Sequence, residues 1–208
     1  MKNTRRAFFA SAMAAIPAAA ATAAGVKFDN NPAFRTCARA SGGPNANRFP
    51  QIIVQDQHGK KGWLYDDLLK DKLTLVSFTS VKGEQYYPIL NNLVKVQEML
   101  GDRLGKQVFM YTITTNPYDD TPEDLKALAE QHGANWQFLT GKAEDVREAL
   151  TAFHARGSLF GVTWIGNEQT GRWLTKPSQL HPLYIAEAVA RLSTGKDHKP
   201  FLIDMHSA

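Results

Sequence analysis

Cysteine is the scarcest chemistry-bearing residue of this 208-residue chain: there is one, Cys37. A single thiol excludes an internal disulfide framework, a Cys-based zinc finger and a Cys-x-x-Cys redox pair. Long apolar runs are missing as well. Beyond residue 23 no stretch approaches the ~20 apolar residues that a membrane span requires, so no span is expected in the mature chain. An excess of one charge is also absent. The formal net charge is +4, but Lys2, Arg5 and Arg6 lie in the first 23 residues without an acid, and taking those three from 24 bases leaves 21 against 20 acids. That balance gives nucleic-acid binding no electrostatic basis. Nor is there a Gly-x-Ser-x-Gly context around Ser80 or Ser158, a Gly-rich phosphate loop or a His-Glu-x-x-His pair. No catalytic residue is assigned, and a non-enzymatic protein is expected. The hydrophobic fraction, 43%, is that of a globular chain rather than a disordered one.

What is present begins with an address. The basic start is followed by the Ala-rich stretch from Ala7 to Ala21, broken by Pro17, and by the small-residue pattern Ala21-Thr22-Ala23. Thr4-Arg5-Arg6-Ala7-Phe8-Phe9 reads as a twin-arginine motif. Residues 1–23 are therefore read as an export signal and the mature protein as periplasmic. Residues 24–47, rich in Asn, Ala, Gly and Pro, read as a flexible arm, 48–195 as one domain, and 196–208 as a tail.

Within the domain, strands alternate with helices. Leu73-Thr74-Leu75-Val76-Ser77-Phe78-Thr79 has the apolar, β-branched character of a buried strand. Pro88 is expected to open a helix with Ile89, Leu93, Val96 and Leu100 on one face, ended by Gly101. Residues 107–114 form a second strand. Thr121-Pro122-Glu123-Asp124 is a helix start: a hydroxyl for an orphan N–H, proline at the first position, acids at the positive end. A short strand over 136–139, a helix over 143–153, a hairpin of 160–165 with 172–174, and a helix over 182–192 follow. This order describes an α/β, thioredoxin-like domain: a mixed sheet with flanking helices and a C-terminal β-hairpin plus helix.

Several segments carry a resemblance. Phe49-Pro50, Tyr65-Asp66-Asp67-Leu68-Leu69, Asn92-Leu93-Val94-Lys95-Val96-Gln97 and Leu100-Gly101-Asp102-Arg103 occur in order. Asp120-Thr121-Pro122-Glu123, Phe138-Leu139-Thr140-Gly141-Lys142 and Gly166-Asn167-Glu168 follow them. Together they resemble the SCO/SenC family from Arg48 to about Leu192. The resemblance implies a thioredoxin-like protein, membrane-associated or periplasmic, that binds copper and assists maturation of the binuclear copper site of cytochrome c oxidase, or acts there as a thiol-disulfide reductant.

The same resemblance implies a Cys-x-x-x-Cys-Pro segment and a distant His, two thiolates and an imidazole suited to copper. Anchored on Asn92-Leu93, the thiol positions fall on Lys82 and Tyr86; anchored on Pro88, on Gly83 and Tyr87. The His position falls on Leu159, and the family's Asp after the second strand is replaced by Asn116. The metal positions are thus vacant, and no cofactor is assigned.

Two readings follow. In the first, the chain is an accessory protein that assists assembly of an exported respiratory metalloenzyme through protein contacts, using Tyr86, Tyr87, Pro88 and Asn116. The two tyrosines offer contact area at little entropic cost; alternatively one ring caps the core and the other is plain surface. In the second, it is a copper chaperone with substitute ligands among Cys37, His154, Met205 and His206. Trp63, Trp136, Trp164 and Trp173 are assigned to packing.

Overall fold

The computed structural model describes residues 42–155 and 161–194. Seven strands form one sheet in the order β2-β1-β5-β4-β3-β6-β7. They are β1 (Ile53–Asp56), β2 (Lys61–Trp63), β3 (Leu73–Thr79), β4 (Val108–Thr114), β5 (Gln137–Gly141), β6 (Val162–Asn167) and β7 (Arg172–Pro177). β3, β4 and β5 run parallel, in register from Leu73 opposite Val108 to Thr79 opposite Thr114. β1 and β6 flank them antiparallel, and β2 and β7 form the edges. Every residue of β3 is buried, as a strand covered on both faces requires.

The helices divide between the two faces. α2 (Leu90–Leu100), α3 (Pro122–His132) and α5 (Pro182–Ser193) cover one, where Leu93, Leu125 and Ile185 meet Leu75, Met110 and Phe138. α4 (Ala143–Ala152) covers the other, bringing Val146, Ala149 and Leu150 to the cluster of Val76, Phe78 and Ile113. The alternation of Leu75 and Val76 between these clusters is the two-residue period of a strand. The thioredoxin-like mixed sheet read from the sequence is therefore the fold, hairpin and closing helix included.

Several elements escape the sequence reading, among them the helical turn Leu64–Leu69. The β1–β2 hairpin has strands of four and three residues, too short for a visible period. α1 (Val81–Tyr86) is a short helix between β3 and the helix start expected at Pro88. Finally, α2 does not begin at Pro88: it starts at Leu90 with Ile89 as N-cap, and no side chain of the cap residue serves its free N–H groups. Thr121, in contrast, forms the expected cap. Its hydroxyl accepts from the Asp124 N–H while the Asp124 carboxylate accepts from the Thr121 N–H, and Gly133 ends the helix at φ 69°.

Residues 42–47, which the sequence places in the arm, are seated on the body. Asn45 donates through Nδ2 to Glu168 Oε1 at 2.7 Å, and Ala46 is buried. Glu168 also accepts from the Tyr65 hydroxyl at 2.8 Å and from the Trp173 indole at 2.5 Å. Arg48 lies 4.6 Å above the Trp164 ring, a cation–π contact that packs tryptophan as expected. Trp136 is likewise core, its Nε1 donating to Thr112 Oγ1 at 2.8 Å.

Candidate functional site

The three parallel strands end at one edge of the sheet, and the loops that leave them are bonded to one another there. In open α/β sheets such an edge is where ligand sites collect. The first loop runs from Thr79 through α1 to α2. Ser80 Oγ caps α1, accepting from the Gly83 N–H at 2.9 Å. The second loop, between β4 and α3, crosses to it twice. Asp120 accepts from the Val81 N–H at 3.3 Å and from the Thr114 hydroxyl. Asp119 accepts from Lys82 Nζ at 2.9 Å and from Asn116 Nδ2 at 2.9 Å. The Thr140 hydroxyl, near the end of β5, donates to the Asp120 carbonyl at 3.3 Å and ties in the third strand.

Buried Asp120 is held by these donors, while desolvation pushes its carboxyl above the usual range. Its role is thus to join two loops, while the cap of α3 is Thr121, as expected. The Lys82 hydrogen bond lowers the Asp119 carboxyl, and the same bond raises the Lys82 ammonium, so this surface pair stays ionised.

Glu84 was not singled out by sequence, although it lies at the centre of the first loop. It is buried, and its Oε1 accepts from the Ile89 and Leu90 N–H groups at 2.8 and 2.7 Å. Its Oε2 accepts from the Thr79 hydroxyl at 3.2 Å. Burial raises its carboxyl while those bonds oppose the rise. Glu84 is the missing cap of α2, supplied from six residues upstream of Leu90. A signal existed: a helix opening at Ile89-Leu90 without Ser, Thr, Asp or Asn must have its first N–H groups served from elsewhere.

The sequence-predicted residues gather in part. Lys82 and Asn116 share Asp119, and Tyr86, Tyr87 and Pro88 are exposed on the same loop. Tyr86 is 77% exposed and Tyr87 53%, so neither ring caps the core. Tyr118, unnoticed in the sequence, is 72% exposed on the second loop, and its hydroxyl accepts from Arg147 at 2.9 Å. It forms one wall of a cavity of about 380 Å³ that reaches Trp63 and Lys142. His154 stands apart, exposed, at φ 50°, with its ring 6.4 Å from that of Trp164. Cys37, Leu159, Met205 and His206 lie outside the described residues. Among the described residues, no group of three or more His, Cys, Asp or Glu is placed to hold a metal ion, and no helix is long and apolar enough to cross a membrane.

Comparison with known proteins bears on this edge of the sheet. The SCO1/SenC family model matches residues 87–163, which run from the end of the first loop to the start of β6. No curated protein matches the chain significantly. ScoI of Bradyrhizobium japonicum with copper bound is 20% identical over 68% of this chain and 96% of its own, with a TM-score of 0.55. A putative electron transfer protein of Aquifex aeolicus is 25% identical over 70% of this chain and 95% of its own, also at 0.55. Yeast Sco1 with copper bound is 17% identical over 67% and 88%, at 0.54. Over residues 87–163 the chain thus resembles the SCO1/SenC family in sequence, and its described fold is that of the Sco structures.

Proposed function

We propose that the chain is a periplasmic accessory protein that assists assembly of an exported respiratory metalloenzyme, cytochrome c oxidase being the family's expected client, through protein contacts rather than copper transfer or catalysis. The observation that carries this reading is the pair of loops that follow β3 and β4. Three exposed aromatic rings, Tyr86, Tyr87 and Tyr118, stand on a backbone held by the carboxylates of Glu84 and Asp120. Rigid aromatic side chains on a pre-organised loop lose little entropy on binding, which favours protein contact.

The donors at the family's metal positions do not fit copper. Lys82 is held protonated by Asp119 and offers no lone pair, and Tyr86 offers a hard phenolic oxygen where a soft thiolate is needed. With the one thiol at Cys37, paired-thiol chemistry within a chain has no second partner. Export by the twin-arginine route, with removal of residues 1–23, completes the proposal.

Two measurements test it. Titration with Cu(I) and Cu(II) against a competing chelator is expected to show no binding beyond weak His coordination; one tight copper per chain would reject the reading. Affinity capture from periplasm and membrane extract, with subunits named by mass spectrometry, is expected to recover an oxidase subunit with the natural chain. Tyr86→Ala with Tyr87→Ala should lose it, and undiminished capture by that double variant removes the proposed surface.

A further inference from the structure

Phe109, Tyr111 and Ile113 form one row along β4 on the face that α4 covers, as alternate residues of a strand do. α4 packs on the Ile113 end of that row. At the other end, where β4 and β5 begin, lies a cleft of about 480 Å³, within the size range of small-molecule sites. Val54, Phe109 and Leu139 give it apolar walls, and Tyr111 lines it as well. Only 3% of Tyr111 is exposed, and among the described residues no group bonds its hydroxyl. Burial raises the phenol with no hydrogen bond opposing the rise. A buried hydroxyl without a partner is costly, and an occupant of the cleft can supply one.

The other titratable groups of the cleft are Asp56, Asp67, Lys60, Lys61 and Lys72. Both carboxylates are engaged by the protein. Asp56 Oδ1 accepts from the His58 and Lys60 N–H groups, each at 2.9 Å, and its Oδ2 accepts from Gln137 Nε2 at 3.3 Å. Asp67 Oδ2 accepts from the Trp63 N–H at 2.7 Å. The three lysines, in contrast, form no ion pair among the described residues. Lys72 donates to the Asp67 carbonyl and lies 5.0 Å over the Phe109 ring, which leaves its ammonium further N–H donors. Burial lowers that ammonium, Asp67 opposes the fall and Lys60 adds to it, so the two cations feel one another.

We propose that this cleft binds a small carboxylate with an apolar body, the body resting on Val54, Phe109 and Leu139 and the carboxylate accepting from the Tyr111 hydroxyl and the Lys60 and Lys72 ammonium groups. The mixed charge of the lining sets the ligand's valence. Three lysines against two aspartates leave a single positive charge, which a monoanion neutralises and a dianionic phosphate exceeds. The site does not depend on the functional proposal, because the tyrosine loops leave the opposite ends of β3 and β4.

The test is calorimetric titration of the full chain with 2-naphthoate. Saturable binding of one probe per chain is expected, weakened several-fold by each of Lys60→Ala, Lys72→Ala and Tyr111→Phe. In the probe-free protein Tyr111→Phe should keep or raise the thermal midpoint, because the hydroxyl it removes has no partner there. A lowered midpoint would show that the hydroxyl is bonded within the protein and would overturn the proposal. So would the absence of saturable binding, the cleft then holding water alone, or binding that none of the three substitutions moves. Equal affinity for the neutral 2-naphthylmethanol, or tighter binding of 2-naphthyl phosphate, would overturn the assignment of a carboxylate.

Discussion

Glu84 combines two demands that pull against each other at the scale of one residue. Its carboxylate serves the two N–H groups that open α2, yet the site is buried and desolvation raises its pKa. A raised carboxyl binds its proton more tightly folded than unfolded. Its stabilising contribution is present below the ordinary value of 4.5 and is lost as pH rises through the raised folded value. Urea unfolding across that window should therefore show a fall in stability with pH that Glu84→Gln lacks; parallel profiles for the two proteins would refute this. Glu84→Ala removes the acceptor altogether. Leaving a buried N–H unserved costs about 1–3 kcal/mol, so this variant should be less stable at every pH in the same measurement. Lys82 presents the contrary case. Its pair with Asp119 lies at the surface, where ion pairs contribute little, and Lys82→Ala should leave the thermal midpoint nearly unmoved.

At the scale of elements, α1 and α3 show what local sequence can specify. Thr121→Ala removes the hydroxyl half of the α3 capping box, keeps the backbone N–H that donates to Asp124, and should cost about 1 kcal/mol, read as a lower urea midpoint with unchanged m. That helix, like β3 and β4, was legible because neighbouring residues alone decide it: Thr121, Pro122 and Asp124 carry their own start, and β3 its own apolar run. The opening of α2 was not, because its cap comes from Glu84 in another helix and no short-range pattern at Pro88 reports it. The β1–β2 hairpin was missed for a related reason, since pairing with β5 rather than strand length sustains it. At the site, the exposed tyrosines and Asn116 were readable by position, whereas Asp120 and Glu84 acquire their roles only through contacts across loops. α1 also offers a constructive test of the vacant positions. Lys82 and Tyr86 are four residues apart on it, on one helical face. In a Cys37→Ser background, Lys82→Cys with Tyr86→Cys should therefore gain Cu(I) binding that Lys82→Cys alone lacks. Equal, negligible binding by both would show that the loop no longer presents these positions as a pair.

For the whole molecule, Glu168 decides whether the N-terminal segment belongs to the body. It is fully buried on the turn after β6, and three separate parts of the chain donate to it. Asn45 comes from the segment before β1, Tyr65 from the helical turn Leu64–Leu69, and Trp173 from β7. Arg48 adds a favourable charge and stacks on Trp164, while Phe49 packs 4.9 Å from Phe153 and 5.1 Å from Trp173. The backbone is fitted to the same arrangement: a Cβ on Gly166 would meet the Trp173 ring at 2.2 Å, and one on Gly43 the Tyr65 hydroxyl at 2.1 Å. One carboxylate thus closes a loop between residues more than a hundred positions apart. Glu168→Ala removes the acceptor shared by the buried Tyr65 hydroxyl and the half-buried Trp173 indole, while Asn45 keeps the Gly171 carbonyl, and should cost about 1–3 kcal/mol, whereas Glu168→Gln keeps one carbonyl oxygen and should lose less. The decisive reading is spatial. Hydrogen exchange should rise first over residues 45–49 in Glu168→Ala, while β3 and β4 keep their protection, because those strands are held from both faces by clusters that Glu168 does not enter. Uniform loss of protection across the sheet would mean that the N-terminal segment and the sheet unfold as one unit.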